Sequence, residues 1–491
     1  MTDTSVPEGR DPIGRRIIAS LRRPRRAGPA EPQRASSNRP ITKIVAEQLL
    51  SRAAGAQSVE GNAVDLLRDG AENYPAWLEA IAAARHSVDF ENYIIRNDAT
   101  GQRFAAALGE RARAGVTVRV LYDWFGCLTT PRSYWRLLHD AGVEVRCFNR
   151  PRLDSPLEFL SRNHRKSLRA DNVGFVAGLC VGDVWTGTAG QEPWRDTGIR
   201  LRGPAVQDLA AAFGQSWAHA GAAAPRVAVG ADYAGDIPVR VIGSRPNTMG
   251  LYRFDQLIAG IARRTLWLTD AYFVGTTGYV RTLCDAARDG VDVRLLVPGA
   301  SDLPVAKALS RAGYRPLLEA GCRVFEWNGP MLHAKTAVAD GRWVRIGSSN
   351  LNLASWISNW ELDVTIEDEG FAAQLVQMYE QDLQTATEIV LEPGGSRMQA
   401  EGAVPGLPPR RGSPGRLAAG AAGLGSVVGA AITSDRALGP AEARVAAAGG
   451  LLLLVVAIVA IALPRLLTIP LAAIAGSLAM TLLVRAWRKR R

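Results

Sequence analysis

Two stretches decide the fold: HAKTAVAD at residues 333–340, and HRKSLRAD at residues 164–171, which carries His, Lys and Asp at the same spacings. The chain has only five histidines, and two of them hold the same place in two copies of one pattern. On a β-strand, residues i and i+2 point to one face. His333 and Lys335 therefore project together, as do His164 and Lys166. Asp340-Gly341 is a hairpin signal. The run WVRIGSSN then returns as a paired strand and brings Ser348, Ser349 and Asn350 back towards His333, with Glu361 further along in SNWELDV.

Working outward, the repeat is longer than the motif. ARHSVDFENYII from Ala84 matches ARRTLWLTDAYFV from Ala262, AGVTVRVL from Ala114 matches DGVDVRLL from Asp289, and AGVEVRCF from Ala141 matches AGCRVFEW from Ala320. Matches in one order imply a duplicated unit. Short β-branched runs alternate with helical patterns such as FAAALGERARAG, so each unit reads as α/β, a sheet covered by helices. The expected organisation is a basic leader at 1–45, a first unit at 46–220 and a second at 221–391. A Gly/Pro/Ala-rich linker at 392–443 and an apolar segment at 444–491 follow.

The net charge of +11 lies in the tails. Residues 1–50 carry about +5 and 401–491 about +8, leaving the 51–400 body at about −2. A near-neutral body argues against a nucleic-acid partner, and basic tails beside apolar segments suit an anionic membrane surface. The N-terminal region has arginines but no apolar core of the kind secretion needs. Residues 445–463 and 466–484 are each free of charge and are separated by Pro464-Arg465. That length is marginal for a helical crossing, so a transmembrane hairpin is expected. Its basic flanks place both ends, and the folded body, in the cytoplasm. The cysteines (Cys127, Cys147, Cys180, Cys284 and Cys322) are odd in number and widely spaced, so neither a zinc site nor a disulfide framework is expected.

The repeated residues are the parts of a phosphodiester site. A neutral imidazole attacks phosphorus, and a protonated one donates to the departing alkoxide. Lysines and an Asn amide hold the non-bridging oxygens, and a carboxylate fixes the imidazole tautomer. One motif supplies one histidine; duplication supplies two if the halves pack face to face about a pseudo-twofold axis. Asp171 and Asp340 precede turns, where an aspartate serves turn closure.

At these residues the sequence resembles the phospholipase D superfamily, and within it the bacterial cardiolipin synthases. YPAWLEAIAAARHSVDFENYII from Tyr74, LYDWFGC from Leu121, PWRDTGIRLRGPAV from Pro193 and the stretch from Met331 to Asp363 carry the likeness, over about residues 60–390. The resemblance implies two phospholipase D-like α/β/α sandwich units forming a pseudo-twofold bilobal body. It implies a membrane-associated phosphatidyltransferase with a phosphohistidine intermediate, phospholipid substrates such as phosphatidylglycerol, and no cofactor or metal. His164 is then the nucleophile and His333 the acid and base. Lys166, Lys335 and Asn350 grip phosphate, with Ser348 beside them, and Asp171 and Asp340 complete the motifs. Glu361 is an orienting acid, with Asp196 its first-half counterpart. Which carboxylate faces which histidine stays open at this level, as do the acceptor lipid and the oligomeric state. One departure stands out: the family has an Asn where this chain has Cys180 or Val181. A hydrolytic phospholipase D, a nuclease of the superfamily and an inactive membrane scaffold are the alternatives.

Overall fold

The computed structural model describes residues 41–151, 161–223, 232–302, 304–391 and 398–401, with isolated positions 230 and 454. The expected leader before residue 41, most of the linker and the expected membrane hairpin lie outside these residues. Among the described residues no helix is long and apolar enough to cross a membrane. The described residues from Glu47 onward belong to one compact unit; of the other, Met1–Ala46, only the start of the helix Ile41–Ala54 is described.

Among the described residues, sixteen strands form one hydrogen-bonded order. The first seven are β1 (Val59–Arg68), β2 (Ser87–Asn92), β3 (Thr117–Asp123), β4 (Glu144–Phe148), β5 (Ser167–Ala170), β6 (Val173–Ala177) and β7 (Thr197–Arg202). The next seven are β8 (Ile237–Ser244), β9 (Thr265–Thr269), β10 (Asp292–Pro298), β11 (Arg323–Trp327), β12 (Thr336–Ala339), β13 (Trp343–Gly347) and β14 (Glu361–Glu367). The first run is ordered β1-β7-β6-β5-β2-β3-β4 and the second β8-β14-β13-β12-β9-β10-β11, the same order strand for strand. β1 and β8 join the runs by antiparallel pairing, Val59 opposite Val239. Beyond β11 lie β15 (Ala386–Leu391) and β16 (Met398–Glu401), so an edge strand occupies a stretch expected to be linker.

Local chemistry explains each run. β2, β3 and β4 are parallel, which requires crossovers. The helices Ala99–Arg113 and Arg132–Asp140 supply them. The Asp98 side chain caps the first by accepting from Gly101 N. β5–β6 and β12–β13 are tight hairpins, turned by Asp171 (φ 48°) and by Asp340-Gly341 (φ 54° and 64°). Each run has its own apolar core. Trp77, Phe90 and Phe104 centre the first; Phe254, Tyr279 and Leu295 belong to the second. A third core is shared: Val176 and Ile199 of β6 and β7 join Ile346 and Val364 of β13 and β14. Each such side chain removed from water contributes about 1.5–3 kcal/mol. The shared core therefore fixes how the two runs meet, and with that the registration of anything built across them.

Candidate active site

The histidine of each motif lies just before a hairpin strand, β5 or β12, and the orienting acids lie at the starts of β7 and β14. Short parallel bridges cross between the runs there: Asn163 pairs with Trp360, and Arg195 with Leu332. The main-chain bonds repeat. His164 N donates to Trp360 O at 2.8 Å, and Trp360 N to Arg162 O at 2.8 Å. His333 N donates to Arg195 O at 2.7 Å, and Arg195 N to Met331 O at 2.9 Å. Each histidine is thus seated on the strand that carries the other half's acid.

The side chains follow. His164 Nδ1 lies 2.9 Å from Glu361 Oε2 and 3.1 Å from Oε1. His333 Nδ1 lies 2.7 Å from Asp196 Oδ2. The pairing is crossed: the second-half acid holds the first-half ring, and the first-half acid the second. A carboxylate at Nδ1 fixes the proton there and leaves the lone pair on Nε2. Both acids are held in turn. Ser348 Oγ donates to Glu361 Oε2 at 2.5 Å and accepts from Leu362 N at 2.9 Å. Thr197 N donates to Asp196 Oδ1 at 2.8 Å, and Trp185 Nε1 to Oδ2 at 3.2 Å. Gly178 occupies the place of Ser348 in the first run. A Cβ there would come within 2.1 Å of Asp196 Oδ1, so the shorter acid and the missing side chain go together.

Both lysines are buried beside their histidines. Lys166 Nζ donates to His164 O at 2.5 Å and Lys335 Nζ to His333 O. Lys335 Nζ also stands 3.0 Å from His333 Nδ1. Tyr93 and Tyr272 back the pairs symmetrically, with ring centroids 4.9 Å and 5.9 Å from the imidazoles of His164 and His333. Their faces lie 5.2 Å and 6.0 Å from the two ammonium groups.

Burial and neighbouring cations keep the imidazoles neutral. His164 is pushed down to about 4, mainly by burial, with Lys166 and Lys335 adding and Glu361 opposing. His333 is pushed down to about 3 by burial and by Lys335, with Lys166 adding. The lysines of both halves thus act on both rings. Lys335 is itself lowered to about 8 by burial, against the pull of Asp196. Burial raises the acids, but His333 and Lys335 hold Asp196 below the usual range, and His164 and Lys166 do so for Glu361. The two lysines and the two carboxylates balance one another in charge. Asn350 Oδ1 is buried and has no hydrogen-bond partner among the described residues.

The sequence matches this architecture outside the chain as well. Cardiolipin synthase A of Pseudomonas aeruginosa is 34% identical over 351 residues, 70% of this chain and 71% of that one. The chain belongs to the phospholipase D-like cardiolipin synthase family. The family described as "Cardiolipin synthase, PLD-like domain" matches residues 257–383, inside the second run. The cardiolipin synthase of Alkalihalophilus pseudofirmus is 34% identical over 338 residues, 66% of each chain. The chain spans about two thirds of the length of such relatives. A phosphatidylserine synthase from Haemophilus influenzae shares the fold, with TM-score 0.57 at 15% identity over 71% of this chain and 91% of that one.

Against the family pattern, the strand register settles the missing amide. Ser167 pairs with Val176 and Thr336 with Ile346, and Gly178 N donates to Thr197 O as Ser348 N does to Leu362 O. Cys180 therefore stands where the second run has Asn350. Its buried thiol is raised by burial, and Lys166 and Lys335 pull the other way.

Asp171 and Asp340, the third members of the two motifs, stand apart from the His-Lys pairs, at the turns they precede. They lie past the far ends of β5 and β12, roughly 20 Å of extended chain from the imidazoles. Asp171 accepts from the main-chain N–H groups of Arg85, His86 and Ser87 at 2.7–3.0 Å. Asp340 accepts from those of Arg263, Arg264 and Thr265. Both clamp a turn. Sequence reading missed Tyr93, Tyr272 and Trp185. The tyrosines were visible as the shared Tyr of ENYII and DAYFV; Trp185 has no repeat counterpart to flag it. Trp194 lies beside His333 at 5.7 Å, whereas Trp360 packs into core with Phe148.

Proposed function

We propose that this protein is a membrane-associated phosphatidyltransferase that moves a phosphatidyl group from phosphatidylglycerol onto a second lipid's hydroxyl. The crossed pairs His164–Glu361 and His333–Asp196 carry the reading, with both lysines acting on both rings. His164 Nε2 attacks phosphorus; the P–N bond forms as the bond to glycerol oxygen breaks. The leaving alkoxide takes a proton from His333. The acceptor lipid's hydroxyl then returns a proton to His333, its oxygen bonds phosphorus and the P–N bond breaks. Lys166, Lys335 and Asn350 bear on the non-bridging oxygens as charge grows there. His333 must be protonated to act, and the empty cleft keeps it neutral. The phosphodiester supplies the missing negative charge, favouring imidazolium only once substrate is seated.

The uncharged stretches at 445–463 and 466–484, with arginines on their flanks, support a hairpin that tethers the body to the cytoplasmic face of the cell membrane. The test is phosphatidylglycerol vesicles with the purified full chain. Release of glycerol with a four-chain lipid product supports transfer. Phosphatidic acid alone would make water the acceptor and the protein a hydrolase.

A further inference from the structure

We infer that Arg195 is a positioning residue that holds Asp196, and through it the His333 ring, in the geometry of proton donation. This rests on the phosphatidyltransferase reading. The Arg195 guanidinium is buried next to the dyad and ends on both repeats. Nε reaches Asp382 at 2.9 and 3.0 Å, and Nη2 approaches the same carboxylate at 2.8 Å; Asp382 belongs to the helix Glu369–Leu383 of the second run. Nη1 reaches Asp69 at 3.1 Å and Thr197 Oγ1 at 3.0 Å, and also donates to Asp196 O. Asp69, at φ 53°, closes the ring: its N–H donates to Asp196 O at 3.0 Å and its carboxylate accepts from Asp196 N at 2.8 Å. The Arg195 main chain brackets His333 through the two bonds described above. One side chain thus fixes the acid, and its main chain fixes the histidine.

The His164 half is braced differently. Arg165 Nε donates to Glu361 O at 3.1 Å, and its other nitrogens to Ala212 O and Ser244 O. By register, Trp360 takes Arg195's place in the second run and Ala334 takes Arg165's. The duplicated site is therefore held by arginines that are not duplicates, so the two dyads can be loosened separately. A planar fork suits such multiple acceptance, and a lysine reproduces only part of it.

The experiment measures the first-turnover release of glycerol from phosphatidylglycerol and of nitrophenolate from phosphatidyl-p-nitrophenol, with the full chain in excess in detergent, so that the second step, in which His333 takes the acceptor's proton for either donor, does not enter. Glycerol leaves as an alkoxide that needs the His333 proton; nitrophenolate leaves without one. Arg195→Met is expected to lower the single-turnover rate of glycerol release by about 100-fold, the scale of general acid catalysis. Nitrophenolate release should slow less than about 5-fold, with the half-saturating donor concentration nearly unchanged for both. Arg195→Lys should recover about 10-fold. Arg165→Met should slow both donors alike, because both must meet His164. Equal losses on both donors for a folded Arg195→Met protein would overturn the assignment, as would no loss on either. A second readout does not depend on turnover: the His333 Nδ1–H resonance of ¹⁵N-histidine-labelled protein should weaken or shift in Arg195→Met and stay put in Arg165→Met. An unchanged resonance in Arg195→Met ends the positioning claim. Wild-type protein inactive on both donors, with the resonance still responding, would instead remove the phosphatidyltransferase reading.

Discussion

Asp196→Asn tests the crossed pairing through a residue of the opposite repeat. Asp196 Oδ2 faces two nitrogens, His333 Nδ1 at 2.7 Å and Trp185 Nε1 at 3.2 Å, while Oδ1 accepts from Thr197 N. An asparagine keeps its carbonyl on Thr197 and presents an NH₂ where Oδ2 stood. That group faces the Trp185 donor and forces His333 Nδ1 to accept. The ring then carries its proton on Nε2 in the neutral state and has no carboxylate to stabilise the imidazolium. Lys335 loses the charge that holds it up to about 8, so more of it is neutral at working pH. General acid–base catalysis contributes 10²–10⁴-fold, or about 3–5 kcal/mol, and that is the expected loss in kcat for glycerol release from phosphatidylglycerol. Phosphate should still be trapped on His164, slowly, because Glu361 still holds that ring. Glu361→Gln should do the opposite and abolish the trapped species. Asp196→Asn within about 5-fold of wild type, in folded protein, would refute the reasoning.

Further outcomes follow from the same contacts. Asp171→Ala removes the acceptor for three exposed or partly exposed N–H groups and places alanine at φ 48°. It should cost about 2–3 kcal/mol of stability, read as a lower Tm, and spare kcat at 25 °C. Acid should destabilise the fold through the neutral histidines. Their folded values lie below 6.5, so the unfolded chain binds more protons, and stability present above pH 6.5 is lost as pH falls towards 4. That loss is about 3 kcal/mol for His164 alone. Denaturant melts from pH 7 to 4 should show it, and a His164→Asn, His333→Asn double variant should flatten the slope. Cys180→Ala should keep kcat within about 10-fold, since both lysines and Asn350 remain; a loss beyond 100-fold in the vesicle assay would give the thiol a role of its own.

The His-Lys pairs were legible because period-two alternation on a strand is a local rule, and the repeat doubled the signal. The crossing of acids and histidines was not. Glu361 and Asp196 reach the other half's ring only because the shared core of Val176, Ile199, Ile346 and Val364 sets the two runs face to face, a long-range packing outcome. Asp171 and Asp340 sit five residues past their lysines, so the motif reads as one unit. The intervening strand carries them to the opposite end, where main-chain donors claim them. The Cys180 register needed the hairpin pairing to resolve a one-residue ambiguity. Met398–Glu401 lies in Gly- and Pro-rich surroundings and owes its strand state to β15, a partner that local composition does not reveal.

The most direct test of two histidines serving one phosphorus is quenching in alkaline detergent of the full chain turning over ³²P-labelled phosphatidylglycerol, followed by peptide mapping at alkaline pH. The account predicts an acid-labile, base-stable label on His164 that accumulates in His333→Asn and is absent in His164→Asn. Label confined to His333, or turnover with no phosphohistidine at either position, would contradict it.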